Sequence, residues 1–224
     1  MKALVYKELK LSMHPLCYVF IALFPFMILI PSYPIAVGFI YVLSCYPILF
    51  LGANKGQQSN DLLYSTLLPV RKKDIVLARI FTVALMQFVF IAIMSCLVPV
   101  ASIITKGIPD YSPVGIGLNG YVSTLAIAII GFAIADLIFF PIYYKNGKSI
   151  VMSTLLTILG FALYLATFTI ALPFIPGMEW YVSILCNKGI WIQFIILGVA
   201  LLIYIAIHLA VYKLSSKRLE QVDF

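Results

Sequence analysis

Residues 189–212 read GIWIQFIILGVALLIYIAIHLAVY, a run of 24 residues without an Asp, Glu, Lys or Arg. A helix rises 1.5 Å per residue, so about 20 apolar residues cross a hydrocarbon layer of about 30 Å. The run is therefore long enough to cross a bilayer as a single helix. Similar uncharged stretches lie between Lys10 and Lys55, Arg79 and Lys106, Asp110 and Asp136, and Lys148 and Glu179.

The composition of the whole chain agrees with this pattern. Of its 224 residues, 63% are hydrophobic and 10% are charged, whereas about a quarter are charged in soluble domains. A soluble fold of this size could not bury so much apolar surface, so lipid must cover part of it. We therefore predict an all-α, polytopic membrane protein, with one membrane domain over residues 1–224.

Six transmembrane helices account for the uncharged stretches. The first stretch is long enough for two spans, and the sequence PSYP at 31–34 supplies the turn between them. The predicted spans are 15–31, 34–53, 76–103, 119–143, 149–174 and 190–212.

The positions of lysine and arginine predict the orientation. With the N-terminus inside, thirteen of the fifteen basic residues are cytoplasmic, and Lys106 and Lys188 lie outside. Because cytoplasmic loops carry the excess of basic residues, we expect both termini in the cytoplasm and the protein in the plasma membrane. The net charge of +7 then belongs to cations near the inner headgroups, so no nucleic-acid partner is expected.

Residues 1–13 precede the first span and are rich in charge. On a helical wheel Lys2, Lys7 and Lys10 share one arc, and leucines point the opposite way. This pattern is typical of a helix that lies in the membrane interface. Glu8 falls on the apolar side and breaks the pattern, so a plain charged leader before the first span is the alternative.

The connection between the second and third predicted spans has a short amphipathic pattern. Its leucines recur at helical spacing from Leu62 to Leu68, and Pro69 ends the run. A basic group, Arg71-Lys72-Lys73, then leads into the third span. Such a knob can insert an apolar ridge into the groove of a partner protein. The alternative is a membrane-surface loop whose cations only enforce the topology.

Three segments together resemble a known family. Residues 61–79, DLLYSTLLPVRKKDIVLAR, are similar to the coupling segment of ABC-2 type exporter permeases. Residues 7–10, KELK, resemble the interfacial elbow helix of that family, and residues 139–147, FFPIYYKNG, resemble the end of its fourth span. With the six-span layout, the resemblance covers nearly the whole chain. The subgroup that it most resembles contains small Gram-positive permeases that export phenol-soluble-modulin-like peptides or confer peptide immunity.

The resemblance implies one half of an ATP-driven exporter. Two permease chains would pair as a homodimer or a heterodimer, and a short cytoplasmic coupling helix within residues 60–75 would sit in a groove of an ABC ATPase subunit. The implied coupling residues are Leu63, Tyr64, Leu67, Leu68, Pro69 and Arg71.

The same resemblance assigns the chemistry to the partner subunit. The chain has no G-x-x-x-x-G-K-[ST] motif, so ATP and Mg are expected on the ATPase. The permease itself would then be no enzyme and would hold no cofactor. The implied substrates are amphipathic or hydrophobic molecules, small peptides first, which enter from the membrane lipids of the inner leaflet.

Asp136 is the acidic residue that falls inside a predicted span. A carboxylate is costly in lipid, so it should face protein or water. It could contact a cationic substrate or latch onto another span; alternatively, it lies near the cytoplasmic edge, where water and Lys145 reach it. Gly131 and Ala135 are one turn apart on the same span and favour close helix packing.

Catalytic and metal chemistry find little support in the residues. His14 and His208 have no second ligand at metal spacing, and no catalytic triad order or H-E-x-x-H helix occurs. A gradient-driven secondary transporter is one rival, although it would show more ionisable residues within its spans. A non-transporting scaffold or immunity protein is another, and it would need the cytoplasmic knob but no polar route through the spans.

Overall fold

The computed structural model describes residues 2–12, 15–29, 70–104, 122–146, 150–167, 184 and 189–221. These residues form helices and short turns, with no strand among them. The elements are α1 (Lys2–Lys7) with a π-helical turn (Glu8–Ser12), α2 (Pro15–Leu23) with a 3₁₀ extension (Phe24–Leu29), α3 (Lys72–Ile104), α4 (Ser123–Asn146), α5 (Ile150–Leu165) and α6 (Ile190–Glu220).

Three of the described helices are long and apolar enough to cross a membrane. They are α3, α4 and α6, with 33, 24 and 31 residues. The number rises to four if Lys2–Lys10 and Pro15–Phe26, which meet at 85°, count as one bent span. With 16 residues, α5 is apolar but shorter than a full span. The six predicted spans are thus matched in part, and the second, 34–53, lies outside the described residues.

Side-chain contacts fix the directions of the helices. Asp136 of α4 meets Gln87 of α3, while Tyr143, further along α4, meets the earlier Arg79, so α3 and α4 are antiparallel. By contrast, α4 and α6 run in the same direction, because their contact positions increase together along the chain: 122 with 193, 136 with 208, and 141 with 218. The next helix, α5, runs antiparallel to α4, because Tyr164 lies near Ile127 and Gly160 near Ile138.

One end of the bundle is rich in cations. Lys72 begins α3, Lys145 lies in the last turn of α4, and Lys217 lies in the last turn of α6. We call this the basic end. Here α3 and α6 extend beyond the predicted apolar spans, and a half-exposed ion pair with a Nζ–Oε1 distance of 3.2 Å joins Lys73 to Glu220. Charged side chains on these extensions favour water or headgroups over hydrocarbon.

The core of the bundle is built around α4. About two-thirds of an apolar 18-residue stretch of α4 is buried within the chain, whereas only 11% of the corresponding stretch of α6 is buried. Phe132, Phe139 and Phe140 are fully buried, and the Phe132 ring meets the Phe90 ring of α3 edge to face at 5.7 Å. The large aliphatic and aromatic side chains on α6 are mostly exposed, so lipid or another chain must cover them.

Small residues let α4 and α5 approach closely. A Cβ added to Gly131 would lie 2.7 Å from Cε2 of Phe161, and one added to Gly160 would collide with Cδ1 of Ile138. Ala135, one turn after Gly131, is fully buried. The hydroxyl of Tyr164 also donates to the carbonyl of Ile127 at 3.0 Å. The helices therefore interlock mainly through apolar surface and van der Waals packing.

Candidate functional site

Two polar clusters lie inside this otherwise apolar bundle. The basic-end cluster consists of Glu8, Arg79 and Tyr143. The mid-bundle cluster consists of Gln87, Asp136, Tyr204 and His208. Buried charged and amide groups within a span are costly unless they are paired, so both clusters are candidates for function.

The basic-end cluster is built around one guanidinium. Arg79 Nε donates to Glu8 Oε2 at 3.0 Å, and Nη2 donates to Oε1 at 3.1 Å. The remaining nitrogen, Nη1, donates to the hydroxyl of Tyr143 at 3.1 Å. Arg79 is 3% exposed and Glu8 is 6% exposed. The bidentate geometry fixes both the distance and the angle between α3 and the turn that carries Glu8.

This contact explains why Glu8 breaks the apolar side of the N-terminal helix. That side faces protein, since Leu4 of α1 is also buried. The pairing of Glu8 with Arg79 was not predicted from the sequence. Two signals could have suggested the pair: an acid on an apolar arc, and an arginine at the start of a long apolar run.

The same end of the bundle also holds α6. Arg218 Nη1 donates to the backbone carbonyl of Pro141 in α4. The Tyr143 ring stacks on Phe139 at a centroid distance of 5.7 Å, and Tyr143 meets Tyr144 edge to face. Polar contacts at the basic end therefore join the N-terminal segment, α3, α4 and α6.

The mid-bundle cluster forms a continuous chain of donors and acceptors. Gln87 Nε2 donates to Asp136 Oδ2 at 2.9 Å, and the Tyr204 hydroxyl donates to Gln87 Oε1 at 2.6 Å. His208 Nε2 lies 3.0 Å from the same Oδ2, and Asp136 is fully buried. Three helices contribute: α3, α4 and α6.

The position of one proton sets the charge of this cluster. His208 Nδ1 lies 2.9 Å from the Tyr204 carbonyl, which can only accept, so Nδ1 carries a hydrogen. Nε2 lies 3.0 Å from Oδ2 without the alignment of a hydrogen bond, so the contact between the two side chains is mainly electrostatic. A second proton on Nε2 would give an imidazolium facing a carboxylate; on Oδ2 it would give a neutral imidazole facing a carboxylic acid. The charge of the cluster therefore depends on whether and where it binds this proton.

The members of the mid-bundle cluster come from similar depths along the helices. Gln87 lies fifteen residues after Lys72, Asp136 ten before Asn146 and His208 twelve before Glu220. These separations correspond to about 15–22 Å from the basic end. Matching depths of polar residues in neighbouring spans are the sequence signal that could have predicted the cluster.

The burial of Asp136 bears on the alternatives for this residue. Its carboxylate is fully buried and contacts side chains of two other helices, as a latch between spans would. A water-accessible position near Lys145 does not fit that burial. Within the described ranges, no group of three His, Cys, Asp or Glu side chains forms a metal site.

Most of the predicted coupling residues fall outside the described part of the chain, namely Leu63, Tyr64, Leu67, Leu68 and Pro69. Arg71 is described and exposed immediately before α3, where its carbonyl accepts from the Asp74 amide at 2.9 Å. The coupling role of all six residues stays a prediction. Gly131 and Ala135 lie buried in α4, and a Cβ at Gly131 would meet Phe161 and Tyr164 of α5.

A family model described as ABC-2 family transporter protein matches residues 3–215. The chain belongs to this family. The match includes both polar clusters and all but the last turns of α6, so the ABC-2 resemblance of the sequence is confirmed. As an ABC-2 protein, the chain is a membrane permease component of an ABC transporter. Neither the curated proteins nor the solved structures contain a match to it. Its likeness to peptide exporters stays a prediction.

Proposed function

We propose that this ABC-2 permease couples ATP hydrolysis by a separate cytoplasmic ATPase to the export of amphipathic or hydrophobic substrates, with small peptides first. It would work in the plasma membrane as one chain of a homodimer or heterodimer. Family membership over residues 3–215 supports the transport role. The observation that carries the coupling mechanism is the continuous helix α3, which begins directly after Arg71, the last of the predicted coupling residues, and is hydrogen-bonded to α4 and α6.

The charge distribution supports a cytoplasmic position for the basic end. In α3, α4 and α6, lysine and arginine lie only near that end, and the remaining length of each helix has none. Since basic residues are retained on the cytoplasmic side, the ATPase would meet the permease here. The segment 2–12 would then lie as an elbow at the inner interface, and residues 60–75 would form the coupling helix.

The length of α3 suits it to carry a displacement from the ATPase side into the bilayer. Its 33 residues measure about 50 Å, and about 40 Å of this length lies before its internal proline, Pro99, where a kink is favoured. The two polar clusters tie this helix to α4 at two depths. A tilt imposed on the coupling segment would therefore move α3 and α4 together, and α6 with them through His208 and Arg218.

The lipid-facing surface supports the substrate class. The exposed side chains of α5 and α6 are largely aliphatic or aromatic, including Leu159, Leu163, Trp191 and Leu202. The polar groups of both clusters bond to one another rather than lining an open route. A substrate that partitions into lipid and passes between two chains fits this surface better than a hydrophilic solute does.

A gradient-driven secondary transporter is the second candidate, and the mid-bundle cluster is the observation that favours it. Asp136 and His208 form a buried ionisable pair within the spans, which is common in proton-coupled carriers. Such a carrier would need no ATPase partner.

Purification from the native membrane in mild detergent tests the proposal. An ABC ATPase should copurify with the parent chain and be lost from Tyr64→Ala and Leu67→Asp. Tyr6→Ala and Leu67→Met are matched controls: Tyr6 is an exposed tyrosine on α1, and methionine keeps an apolar side chain of similar size. If both coupling variants retain the ATPase, or if the parent chain lacks it, the proposal is contradicted and the gradient-driven alternative is favoured.

A further inference from the structure

We propose that Glu8 is a positioning residue for coupling: through its ion pair with Arg79, the N-terminal segment 2–12 moves with α3 during the nucleotide cycle. This inference rests on the proposed function, because it assumes that an ATPase drives α3. It adds the segment 2–12, which is distant in sequence from the coupling segment, to the parts of the permease that move when the ATPase changes its nucleotide state.

The location of the ion pair is the first argument. Arg79 lies seven residues, or about two turns, after the start of α3. It is therefore close to the end of the helix at which the ATPase would impose a tilt. The Glu8 carboxylate accepts two hydrogen bonds from Arg79, at 3.0 and 3.1 Å. Two parallel bonds resist rotation as well as separation, so the turn at 8–12 has to follow the guanidinium.

The choice of charged residues is the second argument. Both side chains are nearly inaccessible to solvent, and burying them carries a desolvation penalty that an apolar pair of similar volume would avoid. An apolar contact could hold the N-terminal segment against α3, but it would allow sliding. The two parallel hydrogen bonds between Arg79 and Glu8 instead hold the N-terminal segment in a single orientation relative to α3. Transmission of a movement requires such a fixed orientation.

The neighbours of the pair extend the link in two directions. Tyr143 of α4 accepts from the third guanidinium nitrogen, so Arg79 is a shared pivot for the N-terminal segment and α4. The hydroxyl of Tyr18 in α2 donates to the carbonyl of Leu9 at 2.7 Å. A displaced Arg79 would therefore carry α2 through the turn that follows Glu8.

Hydrogen exchange measured by mass spectrometry tests the link without knowledge of the substrate. The probe is the purified complex of the full chain with its ATPase in lipid nanodiscs, without nucleotide and trapped with ATP and vanadate. In the parent, we expect amide exchange to change on trapping in peptides from both 2–12 and 72–80. In Glu8→Gln, the change in 2–12 should fall on the order of tenfold while the change in 72–80 persists.

Two further variants show which contact carries the response. Tyr143→Phe removes the hydrogen bond from Arg79 to α4 but keeps the Glu8–Arg79 pair and the ring that packs on Phe139, so both the nucleotide-free exchange of 2–12 and its response to trapping should match the parent. Glu220→Gln is the matched control, since it breaks an exposed ion pair to α3 and should leave the response of 2–12 intact.

The outcomes distinguish this inference from the proposed function. If 72–80 responds to trapping in the parent and 2–12 does not, the inference is wrong and the coupling proposal stands. If the exchange of 2–12 is raised in both nucleotide states of Glu8→Gln while its change on trapping stays as large as in the parent, the pair is only an anchor and the inference is wrong. If no ATPase copurifies with the parent, the proposed function itself fails.

Discussion

The basic-end cluster and the mid-bundle cluster both join an acid to a base on another helix, but with different chemistry. At the basic end, Arg79 is permanently charged and holds Glu8 with two parallel hydrogen bonds. In the middle of the bundle, Asp136 meets His208 and the neutral amide of Gln87. A permanently charged guanidinium thus lies near the basic end, while the deeper site uses an acid and an imidazole that each have a neutral form. The cost of a charge in hydrocarbon, which rises with depth, accounts for the difference.

Arg79→Met should have the largest effect and would break the basic-end cluster. It leaves the buried Glu8 carboxylate with Lys7 Nζ, 3.8 Å from Oε1, in place of two guanidinium hydrogen bonds, a loss of about 3–5 kcal/mol in stability. Thermal unfolding of the purified chain in detergent measures it. The double variant Glu8→Leu with Arg79→Met should recover much of this loss, because both buried charges of the pair are removed. A single variant as stable as the parent would contradict the ionic description of the cluster.

Asp136→Asn should have an intermediate effect and sharpens the comparison. The amide keeps the size of the side chain and can still bond to Gln87, so we expect a loss of about 1–3 kcal/mol in the same unfolding assay. Leu137→Asn, on the partly exposed neighbouring position, is the control for adding an amide to α4. A loss as large as that of Arg79→Met would indicate that the mid-bundle pair is fully ionic.

Gly131→Ala tests the packing between α4 and α5. Neither polar cluster includes a residue of α5, so mainly apolar contacts carry this interface. The new methyl group would press against the Phe161 ring and should destabilise the chain by about 1–3 kcal/mol. Gly198→Ala is the matched control on α6, where an added Cβ meets nothing within 4 Å. We expect that variant to be neutral or more stable, by up to about 1 kcal/mol, since alanine is the better helix former. Equal effects at the two glycines would rule out close α4–α5 packing.

Glu220→Ala should have the smallest effect, although it also breaks an ion pair to α3. The Lys73–Glu220 pair is about half exposed, and such pairs contribute about 0.2–1 kcal/mol. High salt should remove even this difference from the unfolding curves. A loss near that of Arg79→Met would mean that burial does not separate the two ion pairs.

The helices could be predicted from the sequence to a larger extent than the site. Uncharged runs predicted α3, α4 and α6, because apolar length alone decides whether a segment can span a bilayer. At the basic end α3 and α6 continue beyond the predicted spans, through residues that are charged. Hydropathy gives no information about which polar residues meet.

The pairings of the site show this limit. Glu8 and Arg79 are separated by 71 positions, and Gln87 and Tyr204 by 117. Such contacts depend on the order in which the helices pack and on their rotation about their own axes, which a single sequence does not specify. The depth of each polar residue could be estimated from its distance to the nearest charged end, and that estimate would have grouped Gln87, Asp136 and His208.

The order of the mid-bundle residues along the chain also has a consequence for biosynthesis. Gln87 and Asp136 are translated first, and His208 follows 72 positions after Asp136. At about 5–20 residues per second, the ribosome takes about 4–14 s to supply the imidazole. During that interval the newborn α4 holds its acid with only the Gln87 amide as a partner from the final cluster. The acid can enter the bilayer neutral during this time, and it gains the imidazole of His208 as a neighbour only when α6 arrives.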